Sequence, residues 1–148
     1  MELFVKSFDQ FDIYELHDIL KLRADVFVVE QDCVYPDIDG KDFKALHVFG
    51  KMDGKIVAYT RCFPPGYYFD QAAIGRVVVD QHYRKHKLGK EIMKASIQAI
   101  KTHYQTSDIT LSAQTYLKRF YSDLGFQETG AEYLEDGIPH IKMIKKEG

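Results

Sequence analysis

The sequence predicts one α/β (α+β) domain over residues 1–148, with a mixed central sheet flanked by helices. Three observations lead there. Helical periodicity over Asp12–Val28 and again over Lys87–Tyr104 alternates with short β-prone runs. An Asp53-Gly54 pair stands between two of those runs, a hairpin signal. No internal repeat, low-complexity run or Ser/Gly-rich linker divides the chain, so Gly and Pro punctuate elements of a single unit.

The first helix rests on Ile13, Leu16, Leu20, Ala24 and Phe27, recurring at steps of three and four, with Asp12 placed to cap it. From Glu30 to Asp42 neither period is present, and five acidic residues with Pro36 and Gly40 indicate a loop. His47-Val48-Phe49 and Ile56-Val57-Ala58-Tyr59 form the hairpin arms. Beyond the Pro64-Pro65-Gly66 break, Ala72–Val79 is nearly continuous in apolar residues, the composition of a central strand buried on both faces. Ile92, Met93, Ser96, Ile97, Ile100 and Tyr104 stripe the second long helix. Ile109–Ala113 reads as a strand, and Thr115–Leu124 as a helix that Gly125 ends. Two strands, Phe126–Thr129 and Ile138–Lys145, follow around Glu135-Asp136-Gly137.

Composition excludes several functions. Twenty Lys and Arg against 22 Asp and Glu leave a formal charge of −2, far from the basic excess of a duplex-DNA binder. Nucleic acid is not the expected partner. No apolar run reaches bilayer length and the N-terminus lacks a signal-peptide pattern, so a cytoplasmic protein with no membrane association is expected. Cys33 and Cys62 are distant and belong to no Cys/His cluster, so neither a zinc site nor a disulfide is expected. His17, His47, His82, His86 and His103 form no ligand spacing, and no Gly-x-Ser-x-Gly pattern supports a hydrolase.

Chemistry concentrates after Val77-Val78-Val79. A buried strand ends there, and Arg84, Lys85, Lys87 and Lys90, with no acidic residue among them, lead directly into a helix. Unpaired amides, the positive end of the helix and side-chain cations converge on an anion site. The same residues would also suit a solvated basic loop. Neither the Walker order nor a GxGxxG pattern is present.

On these residues the chain resembles the GCN5-related N-acetyltransferase (GNAT) superfamily, and within it the ElaA-like family. The superfamily's acyl-CoA motif, Gln/Arg-x-x-Gly-x-Gly/Ala after a strand, maps onto Arg84-Lys85-His86-Lys87-Leu88-Gly89, with Lys87 standing at the first glycine position. Tyr121-Ser122-Asp123-Leu124-Gly125-Phe126 matches its helix end. Val28-Val29-Glu30-Gln31, Asp37–Asp42, Gly75–Val79, Leu111-Ser112-Ala113-Gln114 and Glu135–His140 carry the ElaA-like resemblance, which spans most of the chain.

The resemblance implies that the strand carrying Val77–Val79 splays from Ile109–Ala113 and that acetyl-CoA lies in the gap as cosubstrate. Cofactor contact would fall to Val77, Val78, Val79, Arg84, Lys85, Lys87, Leu88, Gly89, Lys90, Gln114 and Tyr121. Transfer to a small amine would be direct, with Tyr121 as the acid that protonates the departing thiolate. By spacing alone Tyr121 equally suits a half-buried core tyrosine. Glu30 and His140 are the two candidates for the base. The acidic segment Asp37–Asp42 misses calcium-loop spacing, so no metal is expected there. Its carboxylates either solvate the loop or attract a cationic amine. Two other readings stay open: a CoA-binding regulatory module without turnover, and a nucleotide- or nucleic-acid-binding protein using the basic loop.

Overall fold

The computed structural model describes residues 1–146. Among them seven strands form one sheet: β1 (Glu2–Ser7), β2 (Leu46–Met52), β3 (Lys55–Phe63), β4 (Ala72–Val79), β5 (Ile109–Gln114), β6 (Gln127–Glu135) and β7 (Ile138–Lys145). Their order is β1-β2-β3-β4-β5-β7-β6. Only β4 and β5 run parallel, joined through the helix α2 (Leu88–Tyr104), as a parallel crossover requires. The remaining pairs are antiparallel. The sheet is thus mixed, as the sequence predicts.

Two cores lie on its opposite faces. Val48 and Ala58 pack with Ile92, Met93 and Ile100 of α2. Their strand neighbours Phe49 and Tyr59 point the other way, onto Ile19 and Leu22 of α1 (Ile13–Arg23). Asp12 caps α1 as expected, accepting from the Glu15 amide at 2.8 Å while the Glu15 carboxylate accepts from the Asp12 amide at 3.2 Å. The buried face is not the predicted one, however. Ile13 is 75% exposed and Ala24 is exposed, whereas Glu15, Ile19, Leu22, Arg23 and Val26 are buried. Two charged residues belong to the inward face, so counting only apolar positions rotates the stripe. Glu15 is held by Lys6 and Lys51.

α1 passes into a π-helical segment, Ala24–Glu30. The hairpin turns at Asp53-Gly54 with φ of 51° and 78°, the left-handed pair its tight turn demands. The third helix is shorter than predicted: a 3-10 turn over Thr115–Leu117 precedes α3 (Lys118–Ser122). Gly125 ends it at φ 96°, and the Phe126 amide reaches back to the Tyr121 carbonyl at 3.1 Å. Phe126 then packs edge-on against the Tyr121 ring.

Two strand extents differ from the sequence reading. β1 went unrecognised because it is a short edge strand without a clear apolar alternation, registered along β2 from Glu2↔Lys51 to Ser7↔Leu46. β6 continues to Glu135, past an irregularity between Thr129 and Tyr133. Every one of its residues is exposed, so it carries no burial pattern.

β4 is central in position, yet only its first half is buried on both sides. Gly75, Arg76, Val77 and Val79 are half-buried, while β3 is buried throughout except at Lys55. The cause is the neighbouring strand. β4 and β5 pair only at Ala72↔Ile109 and Ala73↔Thr110. Beyond those residues they diverge, the splay that the resemblance implies. Arg76, at φ 49°, sits where β4 slips register against β3 between Tyr59 and Arg61, a bulge that bends the strand at the start of the gap.

Candidate active site

The divergence opens a cleft of about 720 Å³. Its floor is the β4 edge from Ile74 to Val79, which has no strand partner on the β5 side. One end is the start of α2, the other the β6–β7 turn with Glu135 and Asp136, and the segment from Val26 to Tyr35 borders its mouth. Of the sequence-predicted residues, Glu30, Val77, Val78, Val79, Arg84, Lys87, Gly89, Lys90, Gln114, Tyr121 and His140 all line it. Two do not. Lys85 is exposed on the loop, and the Leu88 side chain is buried in the core under α2; only the Leu88 backbone remains available to a ligand.

At the α2 end no side chain caps the helix, leaving its first-turn amides without a side-chain partner beside the cleft-lining Lys87, Gly89 and Lys90. Lys87, the residue at the motif's first glycine position, adopts φ 57° and ψ 32°. The backbone conformation that glycine supplies freely is therefore kept, with a side chain bearing the strain. Gly89 is closely packed: a Cβ there would meet the Phe120 ring at 3.3 Å, so the ring would have to give by a few tenths of an ångström. Replacing Lys87 by glycine is expected to stabilise the fold by about 0.5–1 kcal/mol, the left-handed penalty less glycine's extra chain entropy. Urea denaturation measures this, and a destabilised variant would show that the lysine side chain holds the turn.

Arg84 is engaged. Its Nη1 and Nη2 donate to the Glu30 carboxylate at 2.5 and 2.8 Å, while Nε and Nη2 donate to the Val79 carbonyl at 3.3 and 3.2 Å. The guanidinium holds the Glu30 carboxyl below its ordinary range.

Tyr121 is 5% exposed and lines the cleft. Its ring lies edge-on to Phe120 and Phe126, and its hydroxyl makes no hydrogen bond to any described residue. Burial pushes the phenol well above its ordinary pKa, so it holds its proton at neutral pH. It is thus a buried core tyrosine that also lines the cleft.

His140 sits mid-row across three strands, opposite Gln114 of β5 and Tyr133 of β6. Its Nδ1 lies 2.7 Å from the Ile138 carbonyl. A carbonyl only accepts, so Nδ1 carries hydrogen, while Nε2 lies 3.4 Å from a Glu135 carboxylate oxygen. The Ser112 and Tyr133 hydroxyls hydrogen-bond to each other beside it.

The acidic loop is neither solvated nor a bare negative patch. Asp37, Asp39 and Asp42 close a ring with three arginines from three other elements: Arg23–Asp37 at 3.0 Å, Asp37–Arg76 at 2.8 Å, Arg76–Asp39 at 3.4 Å, Asp39–Arg61 at 2.8 Å, Arg61–Asp42 at 2.9 Å and Asp42–Arg23 at 2.8 Å. Three positive and three negative charges cancel. The loop is thereby fixed to α1, β3 and β4, and its potential cannot serve to attract an amine. Arg76, which lines the cleft, was missed by the sequence reading; an arginine inside a valine run was its signal. Among the described residues no group of three or more His, Cys, Asp or Glu is arranged to hold a metal ion, and no helix is long and apolar enough to cross a membrane.

Comparison with known proteins places this architecture. The model of the acetyltransferase (GNAT) domain matches residues 17–147. A UPF0039 protein of Schizosaccharomyces pombe is 41% identical over 145 residues, covering 97% of this chain and 95% of its own. Protein ElaA of Escherichia coli is 36% identical over 139 residues, covering 93% and 91%. The crystal structure of an acyl-CoA N-acyltransferase from Pseudomonas aeruginosa superposes with a TM-score of 0.91 at 36% identity, covering 98% of this chain and 99% of that one. With likeness in sequence and fold running nearly end to end, the chain belongs to the GNAT acetyltransferase family, in its ElaA-like branch.

Proposed function

We propose that the protein transfers an acetyl group from acetyl-CoA to a primary amine of a small acceptor, directly and without an acyl-enzyme. The observation that carries this is the unpaired β4 edge beyond Ala73, which runs along the cleft toward the uncapped start of α2. Such an edge takes an extended pantetheine arm as it would take a strand, through main-chain groups of Val77 and Val79. The α2 amides with Lys87 and Lys90 suit a diphosphate. Bound acetyl-CoA would supply the activated thioester, and Gln114, at the end of β5, lines the cleft that would hold it.

The chain's own groups would handle the protons. Tyr121 presents a protonated hydroxyl with no competing partner to the departing sulfur. His140, held at Nδ1 by the Ile138 carbonyl and with Nε2 beside Glu135, lines the cleft and in its neutral form would take the proton of the incoming amine. Glu30 suits the base role less well, because Arg84 occupies its carboxylate.

An assay of thiol release with a panel of amines tests the reading. Amine-dependent release is expected, and His140→Gln should lower kcat by about 10²-fold or more, the usual loss for a general base. Saturable CoA binding with no release for any amine would favour a regulatory module instead. Binding to RNA that acetyl-CoA does not displace would favour the nucleic-acid reading.

A further inference from the structure

The residues that border the cleft mouth share a pattern. Glu30, Gln31 and Cys33 lie almost consecutively, and each reaches a different wall. Glu30 bonds Arg84 on the loop before α2. The Gln31 Oε1 accepts from Gln114 at the end of β5 at 3.5 Å, and the Cys33 thiol donates to the Asp136 carbonyl on the β6–β7 turn at 3.5 Å. The latter two contacts are long and weak; the bidentate ion pair is the strong one. The segment enters through the π-helical stretch Ala24–Glu30 and leaves through Asp32 at φ 50°. π-helical turns of this kind occur frequently at functional sites.

We infer that Glu30 is a competitor for the anion site, holding Arg84 away from the diphosphate of the incoming acetyl-CoA until that diphosphate displaces it, and so sets cosubstrate affinity. This inference rests on the proposed function, since it needs a diphosphate at the start of α2. The charge balance supports it. Lys87 and Lys90 line the same end of the cleft and have no carboxylate within ion-pair distance among the described residues, so they are free to meet an anion. Arg84 alone is neutralised, with both Nη atoms on Glu30 and Nε on a carbonyl. An incoming diphosphate must break that pair to recruit it. The pair is accessible enough for exchange, the two side chains being 44% and 31% exposed.

Calorimetric titration of the protein with CoA, repeated over a series of salt concentrations, separates the possibilities. Glu30→Gln keeps the side chain's shape and removes its charge. It is expected to bind CoA about three- to fivefold more tightly at low salt, the range an exposed ion pair spans. Its affinity should also fall more steeply with salt, because Arg84 then adds a cation to the contact that the wild type has internally neutralised. In an Arg84→Gln background the same change should leave the CoA affinity unaltered. Unchanged binding in Glu30→Gln would overturn the inference and leave Glu30 to chemistry. Weaker binding would overturn it too, showing that Glu30 merely orients Arg84. Failure of the wild type to bind CoA would instead overturn the proposed function, and this inference with it.

Discussion

Tyr121→Phe is expected to lower kcat by about 10²-fold, the contribution typical of a positioned general acid, while CoA affinity changes by less than about twofold. The change removes one oxygen from a side chain that otherwise packs between Phe120 and Phe126. Because the hydroxyl has no hydrogen bond within the described residues, its loss strands no partner, and the fold should keep its stability. A stable variant with undiminished turnover would return Tyr121 to the role of a core residue. Loss of turnover in parallel with loss of stability would say that packing, rather than proton donation, had been tested. Burial makes this phenol a reluctant acid against water, and only a developing thiolate beside it would draw the proton.

The largest effect on stability is expected at the arginine–aspartate ring. Arg23 is 0% exposed and joins Asp37 to Asp42. Arg23→Ala should cost about 3–5 kcal/mol, because it leaves two buried carboxylates short of a cation, and urea unfolding followed by circular dichroism would measure it. A cost under about 1 kcal/mol would mean that the ring is not a unit. The ring also sets an acid limit. Asp39 and Asp42 are held below the ordinary carboxylate range by Arg61 and Arg23, against a burial effect that alone would raise them. A carboxyl depressed on folding contributes stability above its unfolded pKa of about 3.9 and loses it as pH falls through the folded value. Stability should therefore hold from neutral pH down to about pH 5 and fall below about pH 4. Arg23→Ala should flatten that acid slope.

The ring and the ion pair at Glu30 divide the acidic segment between two tasks. Asp37, Asp39 and Asp42 anchor the loop on one side of the cleft mouth. Glu30, at the end of the π-helical stretch, reaches the opposite wall. A tract that reads as one run of negative charge is thus tied to Arg23, Arg61 and Arg76 at its C-terminal end and to Arg84 at its N-terminal end. The near-neutral net charge of −2 conceals this pairing, and it also conceals the cations left over at the start of α2.

What the sequence determined by itself follows from short-range physics. The Asp53-Gly54 turn, the Asp12 cap, the apolar face of α2 and the glycine that closes α3 are each written within a few residues, because turns, caps and helical stripes depend on neighbours along the chain. The part of the cleft lining from Val77 to Lys90 was legible for the same reason, as a strand, a basic loop and a helix start that follow one another directly, whereas Glu30, Gln114, Tyr121 and His140 were pointed to only by the family resemblance. The tertiary structure decided the rest. Which face of α1 is buried depends on Glu15 and Arg23, charged residues whose partners lie on β1 and β2 in one case and in a distant loop in the other. No local pattern reports such partners. The states of Glu30 and the acidic loop were likewise undecidable from the chain alone. A carboxylate looks the same in sequence whether it faces water, an amine or an arginine 54 positions away, and only packing brings that arginine within reach.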